Sequence, residues 1–162
     1  MMFVTVGTDL APFDRLLQAV EQLDAPETLV VQYGSSKVKP RNASCVDFLP
    51  FDAWVDHIRQ ASAVVTHGGV GSIMVALMNG KRPFVVPRLR RYGEAVDDHQ
   101  QLFGRRFGED GHVIYVEDPA DLAEAIRTSE TTVPLSAPKV ALAANLRSYL
   151  DTIIPDGGAP RR

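Results

Sequence analysis

Short apolar segments rich in β-branched residues alternate with amphipathic segments along this chain, and that alternation limits its possible folds more than any other feature. Strands are predicted at 3–6, 28–32, 45–48, 63–66, 84–86 and 113–116. Helices are predicted between them at 12–23, 51–60, 71–79 and 97–107, then from 118 through 126, and last at 139–153. Strands separated by helices form a parallel sheet covered on both faces. In the first helix Phe13, Leu16, Leu17, Val20 and Leu23 share one face, with Pro12 suited to its first turn. Trp54, Val55 and Ile58 face inward in the second, so Trp54 and Phe51 read as core or partner-facing residues, with sugar stacking by Trp54 as the lesser alternative.

The fold class expected is therefore α/β, one Rossmann-like domain with a mostly parallel sheet over residues 1–154, followed by a Gly/Pro-rich tail at 155–162 expected to be disordered. A chain of 162 residues fits one such domain. Its net charge of -3 argues against a nucleic-acid role, since no basic excess is available to neutralise phosphates. The single Cys45 permits no intrachain disulfide and fits a reducing compartment. With no secretory leader pattern and no apolar run near the ~18 residues of a membrane span, a cytoplasmic location is expected.

The richest chemistry lies in Thr66-His67-Gly68-Gly69-Val70-Gly71-Ser72, between a predicted strand and a predicted helix. Glycines let the backbone turn sharply and bring bare N–H groups to a ligand, and a helix start favours an anion. A diphosphate is the natural candidate. A dinucleotide fingerprint is disfavoured, because Met74 stands where a third small residue belongs and Pro87-Arg88-Leu89-Arg90-Arg91 where a ribose-binding acid is needed. The Gly-Lys-Ser/Thr ending of a P-loop is missing. The alternative is a plain glycine turn in which Ser72 caps the helix. Ligands of open α/β sheets bind outside the carboxyl ends of the strands. Gly7-Thr8, the His67–Ser72 run and the polar segment 88–101 should all open there, onto one crevice.

Two further groups have competing readings. Lys81, Arg82, Arg88, Arg90 and Arg91 form a basic cluster, read as a solvated loop or as a contact for anionic lipid or acceptor phosphates. Asp97-Asp98-His99 lacks a second ligand cluster and reads as a helix start, so no metal is expected.

Phe3-Val4-Thr5-Val6-Gly7-Thr8, Pro12-Phe13-Asp14-Arg15, the Thr66–Ser72 run and Asp98-His99-Gln100, in this order and spacing, resemble the C-terminal domain of family 28 glycosyltransferases. The likeness spans about residues 2–128 and is greatest to small standalone catalytic subunits, such as those of yeast dolichol-linked N-acetylglucosamine transfer and of bacterial exopolysaccharide synthesis. It implies the donor-binding half of a GT-B architecture. By the resemblance, Gly7, Thr8, His67, Gly68, Gly69, Gly71 and Ser72 would hold the diphosphate and nucleoside of a UDP-sugar, and Asp98, His99 and Gln100 would reach its sugar. No cofactor and no metal are implied. The partner implied is a membrane-anchored acceptor-binding subunit that recruits the chain to the membrane and presents a lipid-linked acceptor; isolated, the chain could self-associate. No general base stands out, so the catalytic residue is left unassigned. The alternatives are a non-catalytic nucleotide-sugar-binding or scaffolding subunit, and an epimerase-like enzyme. One departure favours the non-catalytic reading: Val75 occupies the place where the superfamily usually has a ribose-binding acid.

Overall fold

The computed structural model describes residues 1–24 and 27–132. Six strands form one parallel sheet in the order β3-β2-β1-β4-β5-β6. They are β1 (Met2–Thr5), β2 (Leu29–Gln32), β3 (Ala43–Val46), β4 (Ala63–His67), β5 (Phe84–Val86) and β6 (Ile114–Tyr115). The helices are α1 (Asp14–Glu21), α2 (Phe51–Gln60), α3 (Val70–Met78), α4 (His99–Glu109) and α5 (Leu122–Thr128). The strand order reverses direction between β1 and β4, which is where open α/β sheets form a ligand crevice.

Alternation along the strands fixes the layers. Val4, Val6, Val65, Phe84 and Val86 pack with Leu16, Leu17 and Val20 of α1 and Leu122 of α5. On the opposite face Phe3 and Val64 meet Ile58 of α2 and Ala76 of α3. Val85 there meets Ile73 of α3 and Phe103 and Phe107 of α4. Both faces are covered, so the strands read as continuous apolar runs rather than alternating ones.

Element identities follow the sequence, but several boundaries differ. Helix α1 begins at Asp14 rather than at residue 12, because Phe13 is held in a non-helical conformation, φ -124° and ψ 51°, with its N–H donating to Ser36 Oγ at 2.9 Å. Strand β3 covers 43–46 rather than 45–48, since its register pairs Val46 with the last residue of β2, Gln32. Helix α3 begins one residue early, on Gly69 as its cap, so Ser72 is not the cap. Helix α4 starts at His99 rather than at 97, with the Asp97 carboxylate accepting the His99 N–H at 3.1 Å. The element after Asp118 opens as a 3-10 turn, Pro119–Asp121, before α5. The helix predicted at 139–153 and the tail at 155–162 lie outside the described residues. Among the described residues no helix is long and apolar enough to cross a membrane.

Candidate ligand-binding site

At the β1/β4 crossing the chain leaves both strands through glycine. Gly7 follows β1 with φ 79°, a left-handed conformation that side chains disfavour. His67 ends β4, and its imidazole lies between Gly7 and Gly69. A Cβ on Gly7 would fall 2.4 Å from the ring carbon Cε1, and one on Gly69 would fall 2.2 Å from Nε2. These two glycines are therefore required by the histidine as much as by any ligand. Gly71 differs: a Cβ there would meet nothing within 4 Å.

Burial first, and the Arg88 charge second, push the His67 pKa down to about 4, against hydrogen bonding to the Thr5 backbone and the field of Asp9. The ring is neutral at pH 7, so it offers one donor and one acceptor rather than a charge. Positive character at the site comes instead from the start of α3. Gly69 makes no side-chain capping bond, and the first-turn N–H groups have no intrahelical partners.

A cavity of about 450 Å³ opens here. It is lined by Gly7, Thr8, His67, Gly69, Gly71 and Ser72 and by the apolar Leu49, Phe51, Trp54 and Val75, with the buried Thr5 and Gln32 at its base. Thr5 ties these parts together. Its hydroxyl donates to Gln32 Oε1 at 2.6 Å and accepts from Trp54 Nε1 at 3.2 Å.

The sequence model of the glycosyltransferase family 28 C-terminal domain matches residues 1–144. This chain belongs to that family. Residues of the family 28 domain are 39% identical over 88 positions to tylactone mycaminosyltransferase of Streptomyces fradiae, covering 52% of the chain and 19% of that protein. They are 29% identical over 127 positions to the human UDP-N-acetylglucosamine transferase subunit ALG13, covering 70% of the chain and 11% of that protein. The chain thus spans a fifth or less of the length of these relatives. Among solved structures, the calicheamicin glycosyltransferase CalG4 superposes with a TM-score of 0.58 at 18% identity, over 95% of this chain and 44% of that one. The kitacinnamycin glycotransferase gives 0.57 at 22% identity, over 93% and 39%. The shared fold is that of one part of a larger glycosyltransferase.

In the family 28 domain the structure gathers Gly7, Thr8, His67, Gly69, Gly71 and Ser72 around one cavity. Gly68 faces away from it: a Cβ there would fall 2.6 Å from Gln100 Cβ, so this glycine lets α4 approach the loop. Asp98, His99 and Gln100 are not among the cavity residues. Asp98 Oδ1 accepts the Arg90 N–H at 3.1 Å, and Gln100 Oε1 accepts the Arg88 N–H at 3.2 Å. His99 Nδ1 lies 2.8 Å from Asp97 Oδ2.

The cavity also takes in Thr5, Gln32, Leu49 and Phe51, which the sequence reading did not place at the ligand site, and Trp54, which it set in the core or at a partner face with sugar stacking as the lesser alternative. The signal for Thr5 and Gln32 was available: each is the polar residue at the carboxyl end of an otherwise apolar strand. The basic cluster also needs correction, because β5 separates its halves. Lys81 Nζ donates to the Ala61 carbonyl at 2.5 Å before the strand. Arg88, after it, is fully buried over the Phe13 ring and donates to the carbonyls of Ala11 at 2.6 Å and Val6 at 2.9 Å. Arg88 is an internal clamp, neither a solvated loop nor a lipid contact.

Proposed function

We propose that this domain is the donor-binding half of an inverting glycosyltransferase, holding a UDP-sugar whose hexose passes to a lipid-linked acceptor. The observation that carries the reading is the cavity at the β1/β4 crossing, lined both by the start of α3, which has no side-chain cap, and by apolar side chains. Departure of a nucleoside diphosphate builds negative charge, and preorganised N–H donors stabilise that charge as it forms. Gly7, Thr8, His67, Gly69, Gly71 and Ser72 would hold the diphosphate, with Gly68 shaping their loop. Neutral His67 contributes a hydrogen-bond donor there, and the α3 start takes the role that a metal has in other transferases.

Asp98, His99 and Gln100 follow the same edge of the sheet, and the groups not used in their internal bonds are available to sugar hydroxyls. The acceptor and the base that deprotonates it belong to a second, membrane-anchored component in this reading. That the human relative is a subunit of a UDP-N-acetylglucosamine transferase supports this division. The location proposed is cytoplasmic, at the membrane through the partner.

Isothermal titration of the chain with UDP-N-acetylglucosamine and UDP tests the donor site: binding is expected, and none removes it. Transfer assayed with and without an acceptor-binding partner tests the division of labour; robust transfer by the chain alone overturns it. Chelation by EDTA should leave transfer unchanged. The second reading, a nucleotide-sugar-binding subunit without catalysis, is favoured by Val75, a hydrocarbon side chain lining the cavity. Donor binding without transfer in the assembled complex would establish it.

A further inference from the structure

The hydrogen-bond count at Thr5 fixes the orientation of a neighbouring amide. A hydroxyl has two acceptor positions and one proton. Trp54 Nε1 at 3.2 Å and the Gly7 N–H at 3.3 Å are donors only, so they take both acceptor positions of Thr5 Oγ1. The Thr5 proton must therefore go to an acceptor, and the Gln32 atom 2.6 Å away must be Oε1 rather than Nε2. Gln32 is 3% exposed and borders the cavity, and its Nε2 is not used in the bond to Thr5. The result is a fixed NH2 group, a donor without acceptor capacity, at the base of a cavity.

The same hydroxyl also holds the Trp54 ring, whose centroid lies 6.0 Å from that of Phe51, and Leu49 adds to this apolar lining. One atom thus sets both an aromatic surface and a donor beside it. A donor-only NH2 needs an acceptor, and the carbonyl oxygens at the edge of a flat ring lying on this aromatic surface supply one. Resting on the donor-site reading above, we propose that Gln32 is a specificity-determining residue whose Nε2 donates to a carbonyl oxygen of the pyrimidine ring lying against Leu49, Phe51 and Trp54. Thr5 acts as its positioning residue.

The test is titration of the full chain and of Gln32→Met and Gln32→Glu with UDP and with uridine, alongside thermal denaturation. Gln32→Met removes the donor at similar volume; Gln32→Glu removes it while keeping an oxygen for Thr5. Each variant is expected to lose about tenfold or more in affinity for both ligands by the same factor, because the lost bond lies on the ring. A loss for UDP with uridine unaffected would place Gln32 at the diphosphate and overturn the proposal. Unchanged affinity for both ligands in either folded variant would overturn it as well, leaving the donor-site reading intact. A wild-type chain that binds neither UDP nor uridine overturns both.

Discussion

The turn after β4 and the segment after β5 lie at the same edge of the sheet but are built in opposite ways. Residues 67–72 have three glycines, of which Gly69 lies against the His67 imidazole, and a helix start without a side-chain cap, and Gly69 and Gly71 line a cavity. Residues 87–98 are cross-linked by side chains. Arg88 reaches the carbonyls of Val6 and Ala11, Glu94 accepts from Arg15 and from the Leu89 N–H, and Asp98 accepts from Arg90. The first region exposes backbone to a ligand by lacking side chains. The second uses its polar side chains on the protein itself, and through Arg88 it braces the loop that carries Gly7 and Thr8. Polarity in a loop sequence therefore does not by itself indicate ligand contact; what matters is whether the polar atoms already have partners.

The sharpest way to break this contrast is Arg88→Met. If the second region is a brace, removing the guanidinium leaves buried carbonyls unpaired and should cost about 3–5 kcal/mol by chemical denaturation. The His67 pKa, read by NMR, should also rise once the Arg88 charge is gone. A loss below about 1 kcal/mol would show the clamp to be dispensable.

Next is pH. The folded-state pKa of His67, about 4, lies below the ordinary 6.5, so its contribution to stability is complete above about pH 6.5 and is lost as pH falls toward 4. The full effect is on the order of 3 kcal/mol. Denaturation of wild type and His67→Gln at pH 7 and pH 4.5 should show the variant losing less on acidification; parallel losses would mean that His67 is not held neutral by folding.

At the ligand-facing region, Ser72→Glu puts a carboxylate where the diphosphate is proposed to sit, and UDP affinity should fall about a hundredfold, some 2.7 kcal/mol. Equal affinity in the folded variant would remove the phosphate cradle. Smaller effects should separate the glycines within the loop. Gly69→Ala forces the His67 ring to shift and should cost about 2 kcal/mol in thermal stability, whereas Gly71→Ala, with open space around it, should stay within about 0.5 kcal/mol. Similar effects at both positions would deny that His67 dictates the glycine at 69. The smallest effect is expected from Val75→Glu, which should tighten UDP binding by up to about tenfold if a ribose lies beside the residue. Weaker binding would show that Val75 is needed in the cavity wall.

The sequence by itself determined the elements and their order, because apolar runs and helical periodicity are local and the inner strands β1, β2, β4 and β5 are largely buried. It also determined the glycine loop, since the strand–glycine–helix succession is readable within a dozen residues. Boundaries were decided elsewhere. The start of α1 depends on Ser36, and the extent of β3 on its register with β2, both contacts from distant parts of the chain. Tertiary structure alone could show that Gly7 and Gly69 enclose His67, that Arg88 is buried, and that Thr5, Gln32 and Trp54 meet at the base of one cavity. Those facts depend on which side chains occupy the same few ångströms. Burial and hydrogen-bond partnership are properties of that arrangement, while composition and spacing report only what each segment could do alone.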